Sequence, residues 1–155
     1  MVSNPAVKLR VYLDTSVFCA YFDERVVDRQ LQTKEFWNKL AQFEISTSEL
    51  TTEEISQTLD FEMKNKFSHL LAKFTKFSIT EEMRILANQY ILAGVFTHVM
   101  FNDALHVAAA VLKRQDILLS WNFKHLVNRR RRALINQLNI IKGLPTIEIV
   151  APPEV

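Results

Sequence analysis

The stretch Leu9-Arg10-Val11-Tyr12-Leu13-Asp14-Thr15-Ser16-Val17-Phe18-Cys19-Ala20-Tyr21-Phe22 decides the fold. Residues 7–13 are β-favouring and residues 16–22 read as a short helix, so a strand gives way to a helix with an acid at the junction. In α/β sheets ligands bind at the carboxyl ends of the strands. Asp14 therefore has two readings. Either it caps the helix, since Asp, Thr and Ser oxygens all accept from free backbone N–H groups, or it is a metal ligand.

Working outward, the same alternation continues. Asp23-Glu24-Arg25 reads as a loop. Leu31, Phe36, Trp37, Leu40 and Phe43 fall close to helical spacing and predict a helix over 28–43. Residues 44–48 are a short strand and turn. Helices are predicted over 51–59, 61–77 and 80–93, the last with Met83, Leu86, Ala87, Tyr90 and Ile91 on one face and Gly94 as its C-cap. An Ala-rich helix over 102–114 precedes an apolar strand at 117–120. A helix at 133–138 and a strand at 146–150 complete the chain. Strands alternating with helices predict an α/β fold whose parallel sheet is covered on both faces. No repeat or linker interrupts it, so the expectation is one domain over 1–155, large enough to bury about 68–70% of its unfolded surface.

Composition narrows the class. Hydrophobic residues make up 48% and charged residues 23%, as in ordinary soluble proteins. Two Gly and four Pro argue against disorder and against a turn-rich all-β fold. The single Cys19 excludes an internal disulfide or a Cys-rich zinc site and reads as a buried, inert thiol. Residues 1–8 are short and mixed, with Pro5 among them, and lack the pattern of a signal peptide. No apolar run approaches the ~18–20 residues of a membrane span. These features predict a cytoplasmic protein with no membrane partner. A net charge of +2 excludes a strong general polyanion binder, but the charge is uneven. Lys124 and His125 are followed by Arg129-Arg130-Arg131-Arg132. Such a run reads as a solvated helix start or, because like charges repel, as an anion contact.

Three acids stand where elements begin: Asp14, Glu54 and Asp103. Each has a structural alternative. Thr51-Thr52-Glu53-Glu54 has the form of a capping box, Glu49, Glu53 and Glu54 all suit a solvated face, and Asp103 near a helix N-terminus suits the macrodipole. Their joint placement says more. Parallel strands point their carboxyl ends to one edge, so acids from several junctions converge there, and clustered carboxylates repel unless a cation neutralises them. Hard oxygen ligands in small number suit Mg²⁺ or Mn²⁺. Such ions activate water for attack on a phosphodiester.

On these residues the chain resembles the PIN-domain family, and within it the VapC-like toxin ribonucleases. Residues 11–16 resemble the family's first motif and make Asp14 its first acid. Ile45-Ser46-Thr47-Ser48-Glu49-Leu50-Thr51-Thr52-Glu53-Glu54-Ile55 resembles the second, in which the acid precedes an aliphatic residue, so Glu54 takes the role and Glu53 is the fallback. Asn102-Asp103-Ala104-Leu105-His106-Val107-Ala108-Ala109-Ala110 resembles the third and makes Asp103 the third ligand. Residues 116–126 resemble the fourth. Many members place an Asp after this strand, where this chain offers Asn122 in a Trp-Asn-x-x-His version. Asn122 brings a carbonyl oxygen for a metal or its water but no charge. Asp116 precedes the strand and reads as a turn residue. Gly143, residues 146–149 and Pro152-Pro153-Glu154 match the same branch.

The resemblance implies a three-layer α/β/α sandwich around a short, mostly parallel sheet, Mg²⁺- or Mn²⁺-dependent endoribonuclease activity and frequent homodimers. It implies catalytic roles for Asp14, Glu54, Asp103 and Asn122. A toxin of a type II toxin–antitoxin module would also have a small antitoxin partner occupying the acidic groove. Thr15 and Ser16 either orient Asp14, contact a phosphate oxygen or cap the helix. Lys124 and Arg129 to Arg132, Arg129 and Arg130 foremost, are candidate RNA phosphate contacts. His106 reads as structural, His125 as a local cap and Trp121 as a candidate for base stacking. Asn122 for Asp leaves a second reading, a catalytically weakened module that binds RNA or a protein. An aspartyl phosphatase would need Asp where Ser16 stands.

Overall fold

A computed structural model describes residues 7–155. The reading that the chain start lacks a targeting signal falls on residues 1–8 and so lies largely outside the described residues. Among the described residues the elements alternate as β1 (Leu9–Leu13), α1 (Thr15–Phe22), α2 (Val27–Trp37), β2 (Phe43–Ser48), α3 (Glu49–Ser56) and α4 (Phe61–Leu71). There follow β3 (Thr75–Phe77), α5 (Glu81–Leu92), α6 (Phe101–Leu112), β4 (Ile117–Leu119), α7 (Arg129–Ile141) and β5 (Glu148–Val150). The five strands form one sheet in the order β3-β2-β1-β4-β5, and every neighbouring pair is parallel.

Alternation along the strands builds the layers. Val11, Leu13, Ile117 and Leu119 face one side and meet Val17, Phe18, Phe36, Ile55, Phe67, Leu70 and Leu71 of α1 to α4. Tyr12, Leu118 and Ile149 face the other and meet Met83, Leu86, Tyr90 and Ile135 of α5 and α7. The alanines of α6 (Ala104, Ala108, Ala109 and Ala110) are wholly buried on that second side, where small side chains let the helix lie close to its neighbours. The expected parallel sheet covered on both faces is the observed one. Among the described residues no helix is long and apolar enough to cross a membrane.

Several boundaries differ from expectation, each for a local reason. Residues 75–77 are not the end of a helix. α4 stops at Leu71, and Thr75, Lys76 and Phe77 pair as an edge strand with Ser46, Thr47 and Ser48. The helix predicted over 28–43 ends at Trp37, and Phe43 already pairs with Leu9 in the sheet. α3 starts at Glu49 with Ser48 as its N-cap residue, so Thr51 lies inside the helix and the capping box is absent. α7 starts at Arg129, which makes the arginine run its first turn. Val7 precedes the first strand and is exposed. Gly94 lies beyond α5 at φ 79°, where the N–H groups of Gly94 and Val95 return to the carbonyls of Ile91 and Tyr90. This is a Schellman closure, which favours a residue without Cβ.

Cys19 is half-buried, and burial, together with the negative charges of Asp14, Glu54 and Asp23, pushes its thiol up to about 11. It therefore stays protonated and unreactive at neutral pH.

One buried polar pair carries a stability prediction. Tyr90 donates its hydroxyl to Asn139 Oδ1 at 2.5 Å, while Asn139 Nδ2 has no partner among the described residues. Tyr90→Phe leaves the amide fully unpaired and is expected to cost about 1–3 kcal/mol. The double variant Tyr90→Phe with Asn139→Leu should recover most of that loss in urea unfolding, because it removes both polar groups. A double variant no more stable than the single would contradict the assignment.

Candidate active site

The strand order places a ligand crevice before any side chain is considered. From β1 the chain runs outward through β2 and β3, then returns to add β4 and β5 on the other side. The carboxyl edge beside β1 is therefore the switch point at which open α/β sheets bind ligands. Asp14 ends β1 there, Ser48 ends β2, and Ser120 follows β4.

Asp14 is buried. Its Oδ1 accepts the Ser16 backbone N–H at 3.0 Å and the Ser16 hydroxyl at 2.5 Å, and its Oδ2 accepts the Ser120 hydroxyl at 2.5 Å. The cap and the functional reading are thus not exclusive, because Asp14 is the N-cap of α1 and also stands at the carboxyl edge of the sheet. Both serines in turn accept backbone N–H groups: Ser16 Oγ that of Trp121 and Ser120 Oγ that of Asn122. Burial raises the Asp14 carboxyl above its ordinary value. His106 and the two serines oppose that rise, and the charge of Asp103 adds to it.

Glu54 accepts the Thr15 hydroxyl at 2.7 Å and lies 2.6 Å from His106 Nε2, both through Oε1. Burial would raise its carboxyl, but the His106 hydrogen bond and charge, with Thr15 and Asn102, outweigh it and hold the group below the usual range. The neighbouring Glu53 is exposed, while Glu54 is half-buried beside Thr15 and His106. Asp103, in the first turn of α6, meets His125 Nδ1 through Oδ2 at 2.9 Å. Behind these acids lies a buried polar layer. Tyr12 bridges Ser48 and His106, and Thr47 donates to the Leu13 carbonyl at 2.7 Å. Burial holds the Tyr12 phenol well above its ordinary value, so it remains a hydroxyl.

The other anticipated residues divide. Thr15 and Ser16 spend their hydroxyls on Glu54 and Asp14, so they orient the acids. Asn122 Oδ1 accepts the His125 N–H at 2.9 Å and shapes the turn after β4. Lys124, Arg129 and Arg130 are exposed. Arg131 and Arg132 turn inward. Arg131 bonds the carbonyls of Val95 and His125 with its guanidinium over Phe96, and Arg132 bonds that of Ile149. Trp121 is not available for stacking: it is buried, donates to Thr33 at 2.9 Å and lies under Arg29. Asp116 accepts the Arg10 N–H at 2.8 Å at the amino end of the sheet, as its place before β4 implies.

Three contacts were not anticipated. Ser120 on Asp14, His106 on Glu54 and His125 on Asp103 each join residues more than 20 positions apart, which local patterns do not report. Each acid has oriented donors and keeps acceptor capacity, since a carboxylate has about four lone-pair sites. This all-oxygen donor set fits a hard divalent cation. Among the described residues, however, no three His, Cys, Asp or Glu side chains stand grouped as a finished metal cage.

A five-stranded parallel sheet between two helical layers, with acids at its switch point, defines a class of α/β proteins with carboxylates at the carboxyl edge of the sheet. Within that class the chain belongs to the PIN-domain family, whose model matches residues 11–122. No curated protein sequence matches. The fold is similar to that of several solved structures. FitAcB from Neisseria gonorrhoeae has a TM-score of 0.62 at 12% identity, covering 94% of this chain and 99% of that one. DNA-bound VapBC from Salmonella typhimurium has a TM-score of 0.60 at 14% identity, covering 93% and 98%. VapBC2 from Rickettsia felis, bound to a promoter DNA fragment, has a TM-score of 0.60 at 12% identity, covering 92% and 98%.

Proposed function

We propose that this chain is a Mg²⁺- or Mn²⁺-dependent endoribonuclease and the toxin of a type II toxin–antitoxin module. The observation that carries the reading is Asp14: a buried carboxylate at the switch point, both of whose oxygens are held by serines. A buried carboxylate with other acids at the same sheet edge favours a bound cation. Asp14, Glu54 and Asp103 would hold the ion, directly or through water, with Asn122 at the rim. When bound, the ion supplies an activated water and neutralises charge on the scissile phosphate. Ser16 and Ser120 fix both oxygens of Asp14, Thr15 fixes Glu54, and His125 fixes Asp103. Donors held in this way set ligand orientation before substrate arrives.

Lys124, Arg129 and Arg130 would hold the RNA backbone. Placing arginines in the first turn of α7 opposes the helix dipole, and a bound phosphate relieves that conflict. Replacing Arg129 and Arg130 by Ala is expected to weaken RNA binding without lowering stability. It should also flatten the dependence of log K on log salt by about 0.7 per lost contact with single-stranded RNA. An unchanged slope in filter binding would remove these residues from the RNA surface.

A homodimer, a cytoplasmic location and a cognate antitoxin belong to the same proposal. A further similar solved structure, from Klebsiella pneumoniae, is a toxin–antitoxin complex by name, which supports the last. A groove between α1 and α4, lined by Tyr21, Phe22 and Leu70 with Glu62, Lys66 and Lys73, offers apolar contacts and charges of both signs to such a partner. The test of the central reading is cleavage of a mixed RNA pool with Mg²⁺ or Mn²⁺ and with EDTA. Metal-dependent cleavage supports it. RNA binding without cleavage favours the weakened module, for which Asn122 in place of Asp is the motivating feature.

A further inference from the structure

We infer that His106 is a positioning residue for Glu54, braced by a buried hydrogen-bond chain through Tyr12 to Ser48. The inference rests on the proposed nuclease reading. His106 is 3% exposed and lies one turn beyond Asp103 in α6. Its Nε2 is 2.6 Å from Glu54 Oε1, and its Nδ1 is 2.7 Å from the Tyr12 hydroxyl, which is 2.6 Å from Ser48 Oγ. The chain of bonds closes in either polarity, Nδ1–H donating to Tyr12 and Tyr12 to Ser48 or the reverse, and in both Nε2–H donates to Glu54. No atom of the chain is left without a complementary partner in either case.

Two features set this chain apart from ordinary core satisfaction. Ser48 is the N-cap residue of α3, yet its side chain makes no capping bond and turns instead to Tyr12. The chain also has a direction. It starts at buried residues at the ends of β1 and β2 and finishes on Glu54, whose side chain is 28% exposed at the crevice. Tyr12 fixes the ring, the ring fixes one oxygen of a long, otherwise flexible acid, and Thr15, 3.5 Å from the ring nitrogen, holds the same oxygen. The second oxygen is thereby aimed. His–carboxylate partners behind a metal site act in this way, and their loss typically costs about 10–100-fold in metal affinity or activity.

The test is Mn²⁺ titration calorimetry on the full chain and on His106→Ala, His106→Gln and Tyr12→Phe, with RNA cleavage in parallel. Gln can present an N–H to Glu54 as Nε2 does but gives up the link to Tyr12. His106→Ala is expected to weaken Mn²⁺ binding about 10–100-fold, His106→Gln to restore most of it, and Tyr12→Phe to fall between. Wild-type-like Mn²⁺ affinity in a folded His106→Ala overturns the inference, as does a folded Gln variant no better than Ala. If the Ala variant does not fold, the Gln variant decides: affinity within about threefold of wild type supports the inference, and a loss beyond about tenfold overturns it. A wild-type chain that binds no Mn²⁺ sinks the nuclease reading itself. Wild-type binding with an unaffected Ala variant sinks only the role of His106.

Discussion

Asp14→Asn is expected to abolish metal-dependent RNA cleavage while leaving the metal-free chain at least as stable as wild type. The two halves of this result have separate causes. Asn is as good an N-cap as Asp, so α1 keeps its start. Its Oδ1 can still accept the Ser16 N–H and hydroxyl, and its amide can donate to Ser120 where the carboxylate accepted. What disappears is a buried negative charge. Burial raises the Asp14 carboxyl, so in the folded chain ionisation is less favourable than in the unfolded one. That penalty is absent below the unfolded value near 3.9, grows as pH rises towards the folded value, and is complete above it. Thermal unfolding in EDTA at pH 7 should therefore favour the Asn variant, and the advantage should shrink as pH falls through the folded value and be gone below about 4. Cleavage should fall by at least about a hundredfold, beyond the usual cost of losing an outer-sphere partner. Undiminished cleavage would remove Asp14 from the site, and a clearly less stable Asn variant would show that its charge is structural. The combination of lost activity and retained or increased stability marks a group kept for function at a cost to the fold.

The layered α/β architecture was readable because most of its elements carry a strong period. The runs at 9–13 and 117–119, the face of α5 and the alanines of α6 each point to one secondary structure, and no tertiary contact has to overrule them. β3 was unreadable for the opposite reason. Three residues with one aromatic cannot display a period, and Phe67, Leu70, Leu71, Phe74 and Phe77 extend a helical spacing past the true end of α4. The ladder to β2 decides the matter, and a pairing over such a distance leaves no local trace. The same division holds at the site. The acids could be found because each sits at an element junction with recognisable neighbours. Their donors could not, because Ser120, His106 and His125 reach them only through the folded sheet edge. The arginine run shows how one local signal splits in three dimensions: residues 129 and 130 face solvent, while residues 131 and 132 close carbonyls of the fold.

The largest stability effect is expected from Phe18→Ala, which should lower the unfolding free energy by about 3–5 kcal/mol. Phe18 is wholly buried in α1, with ring centroids 5.9 Å from Trp37 and 5.5 Å from Phe74, both edge-on. It pins α1 to the sheet face formed by Val11, Leu13 and Leu119. Truncation removes the transfer energy of the ring and leaves a hole among rigid aromatic neighbours that cannot collapse into it. Against a total of about 5–15 kcal/mol for a domain, this is a large fraction. Phe61→Ala is the matched control, since Phe61 is 76% exposed at the start of α4 and should change stability by no more than about 0.5 kcal/mol. Urea unfolding of the two variants separates the roles of the aromatic residues. If Phe18→Ala unfolded like wild type, the layer beneath α1 would be more loosely packed than its burial shows. A large loss in Phe61→Ala would mean instead that its exposed ring is covered in solution by a second molecule. The Asp14 cap, Thr15 and Ser16 all ride on the helix that Phe18 anchors, so the packing of one aromatic also fixes where three crevice groups stand.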